Sequence, residues 1–200
     1  MRDGLLIVDV QNDFCAGGAL AVPDGDAVVP LINKAARIVA ARGHVVLASR
    51  DWHPRTSRHF TANGGIWPIH CVAGTTGAQF HPGLDLPDDA VIVTKGDAPE
   101  EDGYSAFDGH AGRDRRGLAA ILTAAGVNRV LVAGLATDYC VKHSVLDARR
   151  QGFEVVLLED AVRGVNLEPA DSAKAISEML AAGAVLGTTT ALFTDAGGGA

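Results

Sequence analysis

Apolar positions along this chain follow two rhythms, short unbroken aliphatic runs and residues spaced three and four apart, and they alternate from one end to the other. The run Leu5-Leu6-Ile7-Val8, opened by Gly4 and followed by Asp9 and Val10, predicts a strand covered on both faces, as strands of parallel sheets are. Val28, Leu31, Ile32, Ala35 and Val39 then recur at helical spacing. Asp26 is positioned to cap that helix, Pro30 falls in its tolerant first turn and Gly43 ends it. Further strands are predicted at Val45–Ala48, Ala90–Thr94, Arg129–Gly134, Glu154–Leu158 and Ala184–Leu186. Further helices are predicted around Leu118–Leu122, over Cys140–Arg150 and around Ala173–Leu180.

Strands alternating with helices of these lengths predict an α/β fold, a three-layer α/β/α arrangement around a six-stranded, mainly parallel sheet. One domain over residues 1–195 accounts for the pattern, with a flexible tail at 196–200. Two stretches break the rhythm, 51–89 and 96–114. Irregular stretches of that length in a compact domain usually carry function.

Open parallel sheets bind ligands beyond the carboxyl ends of their strands, and the reactive side chains gather there. Asp9 ends the first strand, Asp51 lies just past the second, Lys95 ends the third and Cys140 follows the fourth at a strand-to-helix turn. Helix-start N–H groups and a neighbouring Lys95 favour a thiolate at Cys140, and Asp9 can take its proton and later return it to a leaving amine. The competing reading is a buried structural cysteine, a snorkelling lysine and a local cap. Four reactive groups at four equivalent strand ends weigh against it.

Asp51, His53, His59 and His70 share one irregular stretch, and a carboxylate with imidazoles suits a first-row divalent metal: zinc first, with iron or manganese as alternatives. His44, His81, His110 and His143 read as ordinary solvated polar residues. Aromatic residues make up only 5% of the chain, yet Phe14, Trp67 and Tyr104 fall in loops, where they can clasp a flat ring or plug the underside of the loops.

A net charge of −7 gives no basic patch for nucleic acid or an anionic membrane, so a small-molecule partner is expected. The apolar run near the start is of strand length, too short for a signal h-region or a spanning helix, which predicts a cytoplasmic protein. Cys15, Cys71 and Cys140 are odd in number and widely spaced, so no disulfide framework is expected, and Cys15 and Cys71 read as structural. A monomer and a homo-oligomer both remain open.

Four motifs sharpen the picture: Asp9-Val10-Gln11-Asn12-Asp13-Phe14, Asp51-Trp52-His53, Trp67-Pro68-Ile69-His70-Cys71, and Gly134-Leu135-Ala136-Thr137-Asp138-Tyr139-Cys140-Val141, with Lys95-Gly96 beside them. Together they resemble the nicotinamidase branch of the isochorismatase-like cysteine hydrolases, across almost the whole chain. The resemblance implies hydrolysis of nicotinamide, or of a related pyridine or pyrazine carboxamide, to the acid and ammonia, feeding NAD salvage. It implies that Cys140 attacks the amide carbon to leave a thioester, with Asp9 as base and then acid and Lys95 holding both. It further implies a cis peptide at Leu135–Ala136 and an oxyanion hole from the N–H groups of Ala136 and Cys140. Asp51, His53, His59 and His70 would hold a metal that binds the ring nitrogen, with Phe14, Trp67, Tyr104 and Ala136 against the substrate.

Three rivals stand against this reading. An amidase of the same superfamily acting on a carbamoyl or ureido compound would not need the metal residues. In a metal-water hydrolase Cys140 would be merely structural. A non-catalytic binding protein would have no use for Asp9, Lys95 and Cys140 together.

Overall fold

In the computed structural model, which describes residues 1–194, the aliphatic runs form one sheet with helices on both faces. The elements are β1 (Asp3–Val8), α1 (Val29–Ala41), β2 (Val45–Asp51), β3 (Val91–Lys95), β4 (His110–Ala111), β5 (Arg116–Gly117) and α2 (Leu118–Ala124). They continue with β6 (Arg129–Leu135), α3 (Lys142–Arg150), β7 (Glu154–Arg163), α4 (Asp171–Ala181), β8 (Val185–Gly187) and α5 (Thr189–Thr194). The strand order is β5-β4-β3-β2-β1-β6-β7-β8. The strands from β3 to β8 in that order pair in parallel, and β4 and β5 add antiparallel pairings at one edge.

Side-chain alternation along β1 divides the core in two. Leu5 and Ile7 pack with Val29, Ile32 and Ala36 of α1, whereas Leu6 and Val8 pack with Leu118 and Leu122 of α2, Val145 of α3 and Met179 of α4. Each fully buried aliphatic side chain of this kind contributes about 1.5–3 kcal/mol. Together these two apolar layers fix the three-layer arrangement. No helix among the described residues is long and apolar enough to cross a membrane.

The sheet has eight strands where six were expected. The additional β4 and β5 are two residues each, too short to leave a periodic signature. β2 runs on to Asp51, and β7 continues past Glu159 and Asp160 to Arg163, because pairing with β6 resumes after an irregularity between Val132 and Gly134. Asp26 does not cap α1, whose N-cap is Val28. Its carboxylate instead accepts from Ala16 N–H at 2.9 Å and faces His81 Nε2 at 3.1 Å. Gly43 does end α1, at φ +71°. The tail expected at 196–200 lies outside the described residues.

Topology places the site. The chain moves from β1 through β2 to β3 on one side, then returns to β6 on the other, so β1 and β6 flank the point where strand order reverses. A crevice opens at the carboxyl ends of strands at such a point. Asp9 follows β1 there, and the segment leading to Cys140 follows β6.

Candidate active site

Asp9, Lys95 and Cys140 meet at the reversal point. Asp9 leaves β1 in a left-handed conformation, φ +48°, and is fully buried. Its Oδ1 accepts from Ser49 Oγ at 2.7 Å and its Oδ2 lies 2.7 Å from Lys95 Nζ. Lys95, also fully buried, stands 3.5 Å from Cys140 Sγ and makes a short contact with Asp51 Oδ1. Cys140 lies in a π-helical turn, Thr137–Val141, that precedes α3. The Leu135–Ala136 peptide before it is cis, as the family resemblance implies.

Burial and charge divide the protons among these groups. Burial works against the Lys95 ammonium, but Asp51 and Asp9 together outweigh it and hold its pKa well above the usual lysine value. Burial pushes Asp9 up to about 6 against the opposing pull of Lys95. Burial also pushes the Cys140 thiol well above its usual value, with Lys95 opposing and Asp9 and Asp51 adding to the rise. Enclosure beside two carboxylates thus opposes the thiolate that the helix start and Lys95 were expected to favour.

A second group joins the first through Asp51. While its Oδ1 faces Lys95, its Oδ2 lies 3.7 Å from His53 Nε2. Nitrogen atoms of His53, His59 and His70 all lie within 4.8 Å of one another, and all three residues are buried. Each imidazole has its Nδ1 turned to a partner: Gly96 O at 3.0 Å for His53, Asp102 Oδ1 at 3.5 Å for His59 and Pro68 O at 2.8 Å for His70. That assigns the proton to Nδ1 and leaves the Nε2 lone pairs free. Burial holds His70 below the usual histidine value and, with the neighbouring imidazoles, lowers His59 to about 4, so both are neutral. His53 Nε2 is buried without a hydrogen-bond partner among the described residues. Three imidazole nitrogens and a carboxylate oxygen suit a divalent metal, and the orphaned Nε2 is the atom such an ion would satisfy.

Lys95 is followed by Gly96 for a local reason. At φ +64°, a Cβ on Gly96 would stand 2.7 Å from His53 Nδ1 and displace the ring from the carbonyl that orients it.

Both groups open into one pocket. Cys140, Asp51, His59 and His70 lie on its lining, with Phe14, Trp67, Tyr104 and Ala136 around them. All eight were singled out from the sequence. Asp9, Lys95 and His53 stand behind them, fully buried. Leu20, Asp102, Tyr139 and Val165 also line the pocket and were missed. Tyr139 alone had a signal, its place directly before the cysteine; the others come from irregular segments.

The Isochorismatase domain family matches residues 3–191. The chain belongs to the isochorismatase family. It is 45% identical over 199 residues to the nicotinamidase of Escherichia coli, covering 92% of this chain and 93% of that protein. Among solved structures, the pyrazinamidase of Pyrococcus horikoshii in complex with zinc superposes with a TM-score of 0.85 at 44% identity, covering 94% of this chain and 99% of that one. A protein of L. infantum in complex with nicotinate gives 0.84 at 39% identity, covering 95% and 94%.

The remaining histidines of this family member have local partners. His81 accepts from Gly83 N–H at Nδ1 and turns Nε2 to Asp26, so it offers no lone pair to a metal despite the nearby Cys15. His110 pairs with Asp97 at 3.0 Å, His143 stacks on Tyr104 with centroids 5.1 Å apart, and His44 lies 3.9 Å from Asp3. None of the four is simply solvated. All three cysteines are buried and free of disulfides; burial raises Cys15 to about 11 and Cys71 well above the usual thiol value.

Proposed function

We propose that this protein is a nicotinamidase, hydrolysing nicotinamide to nicotinate and ammonia through a thioester on Cys140. The observation that carries the reading is the single pocket in which the Asp9–Lys95–Cys140 centre and the three-histidine cluster share Asp51. The reading treats residues 1–195 as one domain. The names of the bacterial and archaeal relatives, and the nicotinate bound by the L. infantum protein, support this substrate class.

Asp9 takes the thiol proton as Cys140 Sγ bonds to the amide carbon, which spares the enclosed site a free thiolate beside two carboxylates. The N–H groups of Ala136 and Cys140 receive the developing oxyanion. Asp9 then returns the proton to the departing nitrogen, ammonia leaves, and the thioester remains. Water attacks it with Asp9 again as base, and Cys140 recovers its proton as nicotinate departs. Lys95 keeps Asp9 oriented and offsets the negative charge of the centre throughout.

Phe14, Trp67 and Ala136 enclose the ring, and Tyr104 holds Trp67 in place. Asp51, His53, His59 and His70 would hold a divalent metal, zinc before iron or manganese, which supplies a Lewis-acidic partner for the ring nitrogen. With that anchor the carboxamide is delivered to Cys140 in one orientation.

The test is ammonia release from nicotinamide by purified protein, beside Cys140→Ala and a chelator-stripped sample. Release by the native protein, abolished in Cys140→Ala and depressed by stripping, is expected. Turnover retained by Cys140→Ala would point instead to metal-bound water as nucleophile. No ammonia from metal-replete protein would direct the search to carbamoyl and ureido amides.

A further inference from the structure

The segment after β1 contributes more than Asp9 and Phe14. Gln11 is fully buried, and its side-chain amide makes three hydrogen bonds. Oε1 accepts from Asp51 N–H at 2.8 Å, and Nε2 donates to Asp51 O and Ala78 O, each at 2.9 Å. The geometry of the sheet explains why a side chain does this. β2 reaches Asp51, where β3 pairs on one side through Lys95, but on the other side β1 has already ended. The last main-chain bond there runs from Asp9 N to Ser49 O at 3.2 Å, and Asp9 then turns away at φ +48°. The Gln11 amide supplies the donor and acceptor the missing strand would have given, fixing the Asp51 backbone from both sides.

Asp13 does the equivalent for His70. Its Oδ2 accepts from Cys71 N–H at 2.7 Å, and its Oδ1 accepts from Ala19 N–H at 3.2 Å. The Cys71 N–H belongs to the peptide that directly follows His70. Cys71 itself is left-handed at φ +43°, a conformation that residues bearing side chains rarely adopt without outside support. On its far side the Cys71 carbonyl accepts from His53 N–H at 3.0 Å, so one residue ties two imidazole-bearing segments together. The chain is shaped around Asp13: a Cβ on Gly77 would collide with its carboxylate.

We infer that Gln11 and Asp13 are positioning residues for the metal site, Gln11 aiming the Asp51 carboxylate and Asp13 aiming the His70 imidazole. The inference rests on the metal reading above. Neither side chain touches a reacting atom, so each acts on the backbone of a ligand. Groups that orient metal ligands in this way typically change affinity by about 10–100-fold when removed.

The experiment is competition for zinc between a chromogenic chelator and metal-stripped protein, with the melting temperature of each metal-free variant measured beside it. Gln11→Met keeps the side-chain length and removes all three hydrogen bonds. Asp13→Ala removes the acceptor for Cys71, and Asp13→Asn restores one. Asn12→Ala is the control, since Asn12 occupies the same turn but its side chain bonds Thr76 O, away from every proposed ligand. Zinc affinity is expected to fall about 10–100-fold in Gln11→Met and Asp13→Ala. It should stay near native in Asn12→Ala and recover largely in Asp13→Asn. If Gln11→Met does not fold, the two Asp13 variants carry the test. Unchanged affinity in the folded variants, or an equal fall in Asn12→Ala, would overturn the inference. Wild-type protein that takes up no zinc would overturn the metal reading itself, which the wild-type arm shows before any variant is considered.

Discussion

Trp67 Nε1 donates a hydrogen bond to the Tyr104 hydroxyl at 2.9 Å, joining two loops across the wall of the pocket. Trp67 is nearly buried, and Tyr104 is itself braced by stacking on His143. Tyr104 therefore fixes the tilt of the indole that lines the pocket. Tyr104→Phe keeps the stack and removes only the bond, whose net worth is about 1 kcal/mol. KM for nicotinamide is expected to rise about fivefold with kcat little changed. Steady-state kinetics on the variant check this; a drop confined to kcat would place Tyr104 in the chemistry instead.

The sequence revealed the site where strand ends and motifs coincide, and failed where neither exists. Asp9 and Lys95 were legible because unbroken aliphatic runs stop at them, and Cys140 because a strand-to-helix turn precedes it. The mutual approach of His53, His59 and His70 depends on backbone pairings such as His53 with Val72 and Phe60 with Trp67, which no periodicity announces. Asp102, Val165 and Leu20 reach the pocket from irregular chain. The sequence could not show how far burial, a tertiary quantity, opposes the expected thiolate at Cys140. The Asp26 cap failed because Ala16 and His81 claim its carboxylate.

The acid limb of the activity should belong to Asp9. Burial raises its pKa from 3.8 to about 6, so below that pH it is protonated and cannot take the thiol proton. Activity therefore falls as pH drops through about 6. The stability linkage has the opposite sign. Between 3.8 and about 6 the folded chain holds a proton the unfolded chain releases, so the Asp9 contribution is fully present below 3.8 and lost as pH rises through about 6. A pH profile of kcat/KM, taken where circular dichroism shows the protein folded, is expected to bend near 6. A flat profile down to pH 5 would remove Asp9 from the role of base.

Lys95 carries a structural burden as well as a chemical one. It is fully enclosed between the carboxylates of Asp9 and Asp51 and also donates to the Gly103 carbonyl. Lys95→Met preserves the volume and leaves two buried acids facing each other without a cation. Breaking a buried ion pair from one side costs about 3–5 kcal/mol. Urea unfolding of Lys95→Met should show a loss of that order together with loss of turnover. A loss below about 1 kcal/mol would mean the acids relax by taking up protons more readily than this geometry implies.

Asp138 links the nucleophile turn to the opposite wall. It is buried, two residues before Cys140, and its carboxylate accepts from Val165 N–H at 2.9 Å and Asn166 N–H at 2.7 Å. Val165 lines the pocket, and Asn166 is held at φ +52°. Asp138→Ala strands both N–H groups and frees the Val165 segment to move away from the ring. A hydrogen bond to a charged acceptor is worth about 1.5–3 kcal/mol, and each kcal/mol lowers the melting temperature of a chain this size by about 2–4 °C. KM should rise along with that loss, because the wall and the fold depend on the same two bonds. Asp138→Asn keeps one acceptor oxygen and is expected to fall between native and Asp138→Ala in both melting temperature and KM. If Asp138→Ala lowers the melting temperature but leaves KM at the native value, Val165 does not shape the binding of the ring.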